Sequence, residues 1–351
     1  MITYWQQEGG KLVDTEKENL ISSKRVWVDA RNVTREDINI LEKEFKIEQE
    51  HIIDILDPDE LSRIEDAETY ILTITRLPIF VPTAEVSYFS IPLGVILMKN
   101  YIITICWTDC EVLKDFSAGR VKNINLNDFP AFLIQILSRA DITYLRYLKE
   151  INRRASGIQG ELQYAVENKE ILQLLNLEKS TVYFTTSIKS NQLLLEKLRK
   201  TRLLKFDEDD LDWLDDVEVD NRQALEMADT YSNTFSRMSD TFGSIISNNM
   251  NGVMKKLTIV TVAISVPTFI TSFWGMNVEL PFARYGLFGC AIITMLCLFA
   301  VMVTLLRLSL MDRTKSSANR EKKKKNRAKR AEIRRLKKTL EAQELNLEAM
   351  K

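Results

Sequence analysis

Asn251, Met254, Thr258, Thr261, Ser265, Thr268, Ser272 and Gly275 recur at alternating spacings of three and four, with Leu257 beside them. Such spacing puts small polar groups along one face of a helix, and the other faces here are oily. Hydroxyls turned towards lipid lack partners, so this face has to meet water or another helix. Ser, Thr and Gly also favour close helix contacts, so the stripe alone leaves a channel lining and a packing seam equally open. One such helix exists per chain, and either reading requires several copies. In a ring with this face inward, Met254 and Leu257 form an apolar constriction of the kind that closes a pore by dewetting. Gly275, Met276 and Asn277 end the stripe. A divalent cation that keeps its water shell is expected to be held through amide and carbonyl oxygens, which a ring of Asn277 side chains and the Gly275 and Met276 carbonyls would supply.

A second set is acidic: Asp207, Glu208, Asp209, Asp210, Asp212, Asp215, Asp216, Glu218 and Asp220. Read plainly, these are acids favoured at a helix start by the helix dipole. Packed between copies of the chain they would instead repel. Two unit charges about 4 Å apart interact by roughly 4 kcal/mol at an effective dielectric near 20, so a divalent cation that neutralises them could shift a gate.

The stripe belongs to an uncharged run from Leu257 to Val278, and a second uncharged run spans Tyr285 to Leu306. Each is long enough to cross a bilayer core of roughly 30 Å, which takes about 20 helical residues. No apolar stretch lies within Met1 to Lys11, so neither a signal peptide nor a transit segment is read there. Lys255 and Lys256 precede the first run, and Arg307, Arg313 and Lys315 follow the second. Only Glu279 and Arg284 carry charge between them. This bias places both termini in the cytoplasm and the short loop, with Glu279, outside. The whole chain carries 48 Lys and Arg against 49 Asp and Glu, so segregation of charge informs more than its sum. Cys106, Cys110, Cys290 and Cys297 are read as reduced and structural. With a single histidine, His51, they make no zinc-type ligand set.

Residues 1–140 read as an α/β cytoplasmic domain. Val26 to Ala30, Tyr70 to Leu77 and Val86 to Ile105 are expected strands, punctuated by Pro78, Pro82, Pro92 and Gly94. Thr34 to Lys46 is an expected helix with a Thr cap and acids in its first turn. Residues 141–209 read as an antiparallel helical pair, about 142–177 and 181–204. A stalk helix, 210–256, then runs unbroken into the first span, 257–278. From Asp210 to Trp274 it would be a rod of roughly 100 Å at 1.5 Å per residue. A loop (279–284), a second span (285–306) and a charged helical tail (307–351) complete the chain. The tail reads as a juxtamembrane helix held by anionic lipid or as a short coiled coil, with Ile333, Leu336, Leu340 and Leu347 near heptad spacing.

Gly275-Met276-Asn277 at the end of the first of two C-terminal spans resembles the signature of the CorA magnesium transporter family. The likeness continues through Ser247 to Leu257, similar to that family's inner pore entrance, and through Trp27-Val28-Asp29. It implies an α+β membrane protein and a homopentamer, with an α/β/α cytoplasmic domain, a stalk that lines the pore and a peripheral second span. By the same resemblance Asn251 is a polar ring, Met254 and Leu257 are the gate, and Thr268 is a mid-pore ring. The segment His51 to Asp57, followed by Arg63 and Glu65, resembles the region with a regulatory carboxylate, placed at Asp54 with Asp216 of a neighbouring copy as its partner. Val278-Glu279-Leu280-Pro281 and Ser265 depart from the pattern of many members.

The expected function is Mg²⁺ uptake, with Co²⁺ or Ni²⁺ also compatible, down the electrochemical gradient across an inner cell membrane. Cytoplasmic Mg²⁺ would be both cargo and regulator. The expected partners are further copies of the chain and the bilayer, not nucleic acid. A zinc transporter of the ZntB type shares the two-span plan but usually departs from an intact Gly-Met-Asn. A membrane-anchored sensor or scaffold is the other alternative. No nucleotide-binding glycine loop, His-Glu-x-x-His pair or nucleophile–base pair is found, so neither an enzyme nor an ATP-driven pump is expected.

Overall fold

The computed structural model describes residues 1–21, 24–162 and 168–276, and beyond these residues 288, 291, 292, 294–299, 301 and 302. The chain divides into two compact units, Met1–Ile246 and Ser247–Lys351.

The first unit is built on a seven-stranded sheet. Strands β1 (Ile2–Glu8), β2 (Lys11–Asp14), β3 (Val26–Arg31), β4 (Arg63–Asp66), β5 (Ile71–Phe80), β6 (Tyr88–Leu97) and β7 (Tyr101–Cys106) lie in the order β2-β1-β3-β7-β6-β5-β4. Every pair is antiparallel except β3 with β7, which run parallel with Val26 opposite Tyr101. Side chains alternate across a strand, so β3 feeds two cores. Val26, Val28 and Ala30 face one layer with Leu41, Ile52 and Ile55, whose helices are α1 (Arg35–Phe45) and α2 (Gln49–Leu56). Trp27 faces the other, formed with α3 (Glu111–Ser117), α4 (Phe129–Leu162) and α5 (Asn168–Lys200). Trp27 is fully buried, its ring centroid 5.8 Å from that of Phe132, and its Nε1 donates to Thr104 Oγ1 at 3.0 Å. Helices thus cover both faces of the sheet.

Local chemistry sets the helix ends. Thr34 caps α1 in a reciprocal box with Asp37, as its position predicts. Gly94 lets α2 settle on β6: a Cβ there would lie 2.6 Å from Ile55 Cγ1 and nearer still to Cδ1. The helical pair differs from the expected 142–177 and 181–204. α4 starts earlier because Asp128 Oδ1 accepts from Ala131 N at 3.1 Å and Pro130 sits in the first turn, where its missing N–H costs nothing. α5 passes through residues 178–180 without a break. Ser180 and Thr181 bond back to Asn176 and Glu178 carbonyls of the same helix instead of capping a new one.

Helix α6 (Glu208–Trp274) is 67 residues long and contains Pro267. Asp207 Oδ1 accepts from Asp210 N at 2.7 Å while Asp210 Oδ2 accepts from Asp207 N at 3.3 Å, a reciprocal cap that starts the helix. In the first unit, α6 buries Leu214, Val217, Asn221, Ala224, Ala228, Phe235 and Phe242. That helical periodicity packs them on cores shared with α4 and α5, through Tyr144, Leu148, Phe184, Leu194 and Leu198.

Candidate cation-handling sites

The polar stripe lies on the second-unit part of α6. Asn251, Met254, Leu257, Thr258, Thr261, Ser265, Thr268, Ser272 and Gly275 are all exposed in the single chain. The helix is long and apolar enough to cross a membrane, and none of its apolar window is buried. Three hydroxyls share one arrangement. Thr258 Oγ1 donates to the Met254 carbonyl at 2.8 Å, Thr261 Oγ1 to Leu257 at 2.9 Å and Thr268 Oγ1 to Ile264 at 2.8 Å. Each proton is therefore held by the helix backbone and each oxygen keeps lone pairs free to accept. A row of acceptors is what a cation or its water shell needs. Gly275 closes the helix, its N–H reaching the Thr271 carbonyl at 3.0 Å, and Met276 follows it exposed. Asn277, Glu279 and the loop to residue 284 lie outside the described residues, as do the tail and half of the second uncharged run.

The acidic run is sorted by its surroundings. Asp207 and Asp210 serve as the cap. Burial pushes the Asp210 carboxyl up, against the opposing bond from the Asp207 backbone, and the negative charges of Asp128, Asp207 and Asp209 push the same way. Arg199, at the end of α5, pairs with Asp215 at 3.0 Å and with Glu218 at 3.6 Å, and Arg222 also holds Glu218 at 3.1 Å. Asp209, Asp212 and Asp216 are left exposed at helical spacing, and Val219 continues their line. Asp216 makes no hydrogen bond or ion pair among the described residues.

Asp54 lies on α2, about one-third exposed, with Oδ2 at 2.6 Å from Arg63 Nη2. Arg63 opens β4 and also reaches Glu60 and Glu65. No contact joins Asp54 to Asp216 within the chain. Among the described residues, no group of three or more His, Cys, Asp or Glu side chains is placed to hold a metal ion. The roles of Arg199 in sorting the acids and of Glu60 beside Asp54 were not read from sequence, because the contacts join separate elements. Cys106, Cys110 and Cys297 are free thiols, the first two buried, while Cys290 lies outside the described residues.

The fold is an α/β unit with helices on both faces of its sheet, whose last helix continues into a segment long and apolar enough to cross a membrane, none of whose apolar window is buried. The chain belongs to the family of CorA-like Mg²⁺ transporter proteins, whose profile matches residues 22–348. It is 26% identical over 264 residues to the cobalt/magnesium transport protein CorA of Methanocaldococcus jannaschii, covering 74% of this chain and 82% of that one. The complete structure of the CorA magnesium transporter from that organism superposes with a TM-score of 0.71 at 23% identity, over 88% of this chain and 98% of the other. The cytoplasmic domain of ZntB from Vibrio parahaemolyticus superposes less well, with a TM-score of 0.53 at 10% identity over 71% and 98%. At these identities the superpositions speak to the fold.

Proposed function

We propose that this protein is a Mg²⁺ channel of the inner cell membrane, also open to Co²⁺ or Ni²⁺, built as a homopentamer. The observation that carries this reading is the row of Thr hydroxyls whose protons are spent on their own backbone, on a helix face that is exposed among the described residues. Five such faces make a tube of acceptors. Residues 257–278 are the pore-lining span, 285–306 the outer span, and 279–284 an external loop in which Glu279 adds an acidic ring. Asn277 with the Gly275 and Met276 carbonyls receives the hydrated ion, and Met254 and Leu257 form the gate, with Asn251 and Thr268 as polar rings. Both termini lie in the cytoplasm, where the charged tail meets lipid headgroups. An inside-negative potential favours entry of a divalent ion by roughly 4.6 kcal/mol per 100 mV, so no fuel is required.

Regulation is read as feedback. Mg²⁺ bridges Asp54 of one copy and Asp216 of the next, and holds the stalks closed. The separate exposures of Asp54 and Asp216, and the absence of any cation cage within the described residues of one chain, agree with a site completed by a neighbour. The ZntB-type zinc reading has less support, since the better superposition is with CorA. Mg²⁺ flux into liposomes, with Asn277→Ala and Asp216→Lys beside wild type, tests the proposal. Loss of uptake in the first and altered Mg²⁺ inhibition in the second are expected; undiminished uptake by Asn277→Ala overturns the pore assignment.

A further inference from the structure

Arg63 is held by three carboxylates at once. Its Nη2 donates to Asp54 Oδ2 at 2.6 Å, its Nε lies 3.3 Å from Glu65 Oε2, and its Nη1 closes on Glu60 Oε1. The three acids come from α2, from the segment after it and from β4, so the guanidinium ties three pieces of chain together. The site stands at the edge of the molecule, with Arg63 a quarter exposed and Asp54 about a third. Three negative groups against one positive leave the cluster with a net charge of −2. It therefore still attracts cations while one Asp54 oxygen is already taken.

We propose that Arg63 is a tethered competitor for the divalent cation at Asp54, and that it sets the Mg²⁺ concentration at which the protein responds. The proposal rests on the reading of Asp54 as a regulatory carboxylate. A hard cation or its water shell needs the carboxylate oxygens of Asp54, and the guanidinium holds one of them through a charge-assisted hydrogen bond. Two positive groups cannot share that oxygen at full strength. The apparent dissociation constant is the intrinsic one divided by the fraction of Asp54 that is free, so the ion pair weakens cation binding by its own equilibrium constant. For a partly exposed pair in a small network this amounts to about two- to sixfold.

The other two acids decide what happens to the displaced group. When the cation takes Asp54, Arg63 need not return unpaired to water, because Glu60 and Glu65 still hold Nη1 and Nε. The exchange is thus a partial release, quickly reversed when the ion leaves. A lysine could not act this way, since its single ammonium lacks the fork that serves three acceptors in fixed directions.

The test uses the full-length protein and MgCl₂. Two midpoints are read for each variant: protection from limited proteolysis, and inhibition of flux into liposomes. Arg63→Gln should lower both midpoints by about two- to sixfold, and Arg63→Lys should lower them less. Asp54→Asn should raise them, and the Asp54→Asn/Arg63→Gln double variant should match Asp54→Asn, because Arg63 acts only through that carboxylate. An unchanged or raised midpoint in Arg63→Gln, with Asp54→Asn raised as expected, makes Arg63 a structural tie and overturns the proposal while leaving the sensor intact. An Asp54→Asn midpoint equal to wild type overturns the sensor reading and the proposal together. If thermal unfolding in chelator shows Arg63→Gln misfolded, the milder Arg63→Lys decides, and no downward shift there overturns the proposal.

Discussion

The two parts of helix α6 share a backbone and little else. From Glu208 to Ile246 it buries eight side chains in one stripe; from Ser247 onwards none of its apolar window is buried. Polar groups divide only in part: Thr234, Thr241 and Ser244 of the first part also bond back to their own helix, but one buried polar group there reaches another element. Asn221, fully buried in the first part, donates to Asp141 Oδ1 at 2.9 Å across to α4. Burial drives the Asp141 carboxyl well above the usual carboxylate range, against the bond from Asn221, and Asp220 adds to the rise. Thr258, Thr261 and Thr268 of the second part bond instead to their own helix. A polar residue satisfied by another element fixes that element in place. One satisfied by its own turn leaves its face available to water, an ion or another copy.

The sharpest way to break this contrast is truncation. Phe235, 1% exposed in the first part, should cost about 3–5 kcal/mol as Phe235→Ala. Ile264, 63% exposed in the second part, should leave the unfolding midpoint of the first unit unchanged as Ile264→Ala. Denaturant unfolding followed by tryptophan fluorescence in detergent measures both, and equal losses would erase the distinction.

The next effect is smaller and depends on pH. The folded pKa of Asp141 is raised, so its favourable contribution is complete below the unfolded value of about 3.9 and is lost as pH rises through the folded value. The slope reaches at most about 1.4 kcal/mol per pH unit. Asp141→Asn should remove this component and be relatively more stable at neutral pH. An identical pH profile in the variant would mean that the buried carboxyl is not protonated in the fold.

The smallest stability effect belongs to the stripe. Thr261→Val keeps the shape and removes the acceptor, so stability should move by no more than about 0.5 kcal/mol while Mg²⁺ flux falls. Unchanged flux would turn the face back into a packing seam.

Sequence showed some of this and hid the rest for physical reasons. β3, β5, β6 and β7 are rich in β-branched residues between prolines and glycines, and Thr34 announces α1. β1 is harder to see because its one fully buried residue is Gln6, tied to the backbone of Ile21 by two bonds of 3.1 Å. α3 buries Asp115 between Arg120 and Arg139. α5 has no clean apolar stripe, since Ser187, Ser190 and Asn191 are buried against the sheet, where Ser187 and Asn191 bond Arg76 and Ser190 bonds Ser62. The polar stripe was legible because it needs only the helical period. Which acids are left free was not, because Arg199 sorts them from another helix and Arg63 reaches Asp54 of α2 from β4.

The parallel joint between β3 and β7 bears on how the chain is made. Trp27 finds Thr104 seventy-seven positions further on, so the middle of the sheet closes late among its strands. Pairings this distant form in roughly milliseconds to seconds. A ribosome adding about 5–20 residues per second needs on the order of ten seconds to travel from β7 to the first oily run. The sheet can therefore be complete before the segments most prone to aggregate in water leave the ribosome, and membrane insertion begins with a folded domain already in tow.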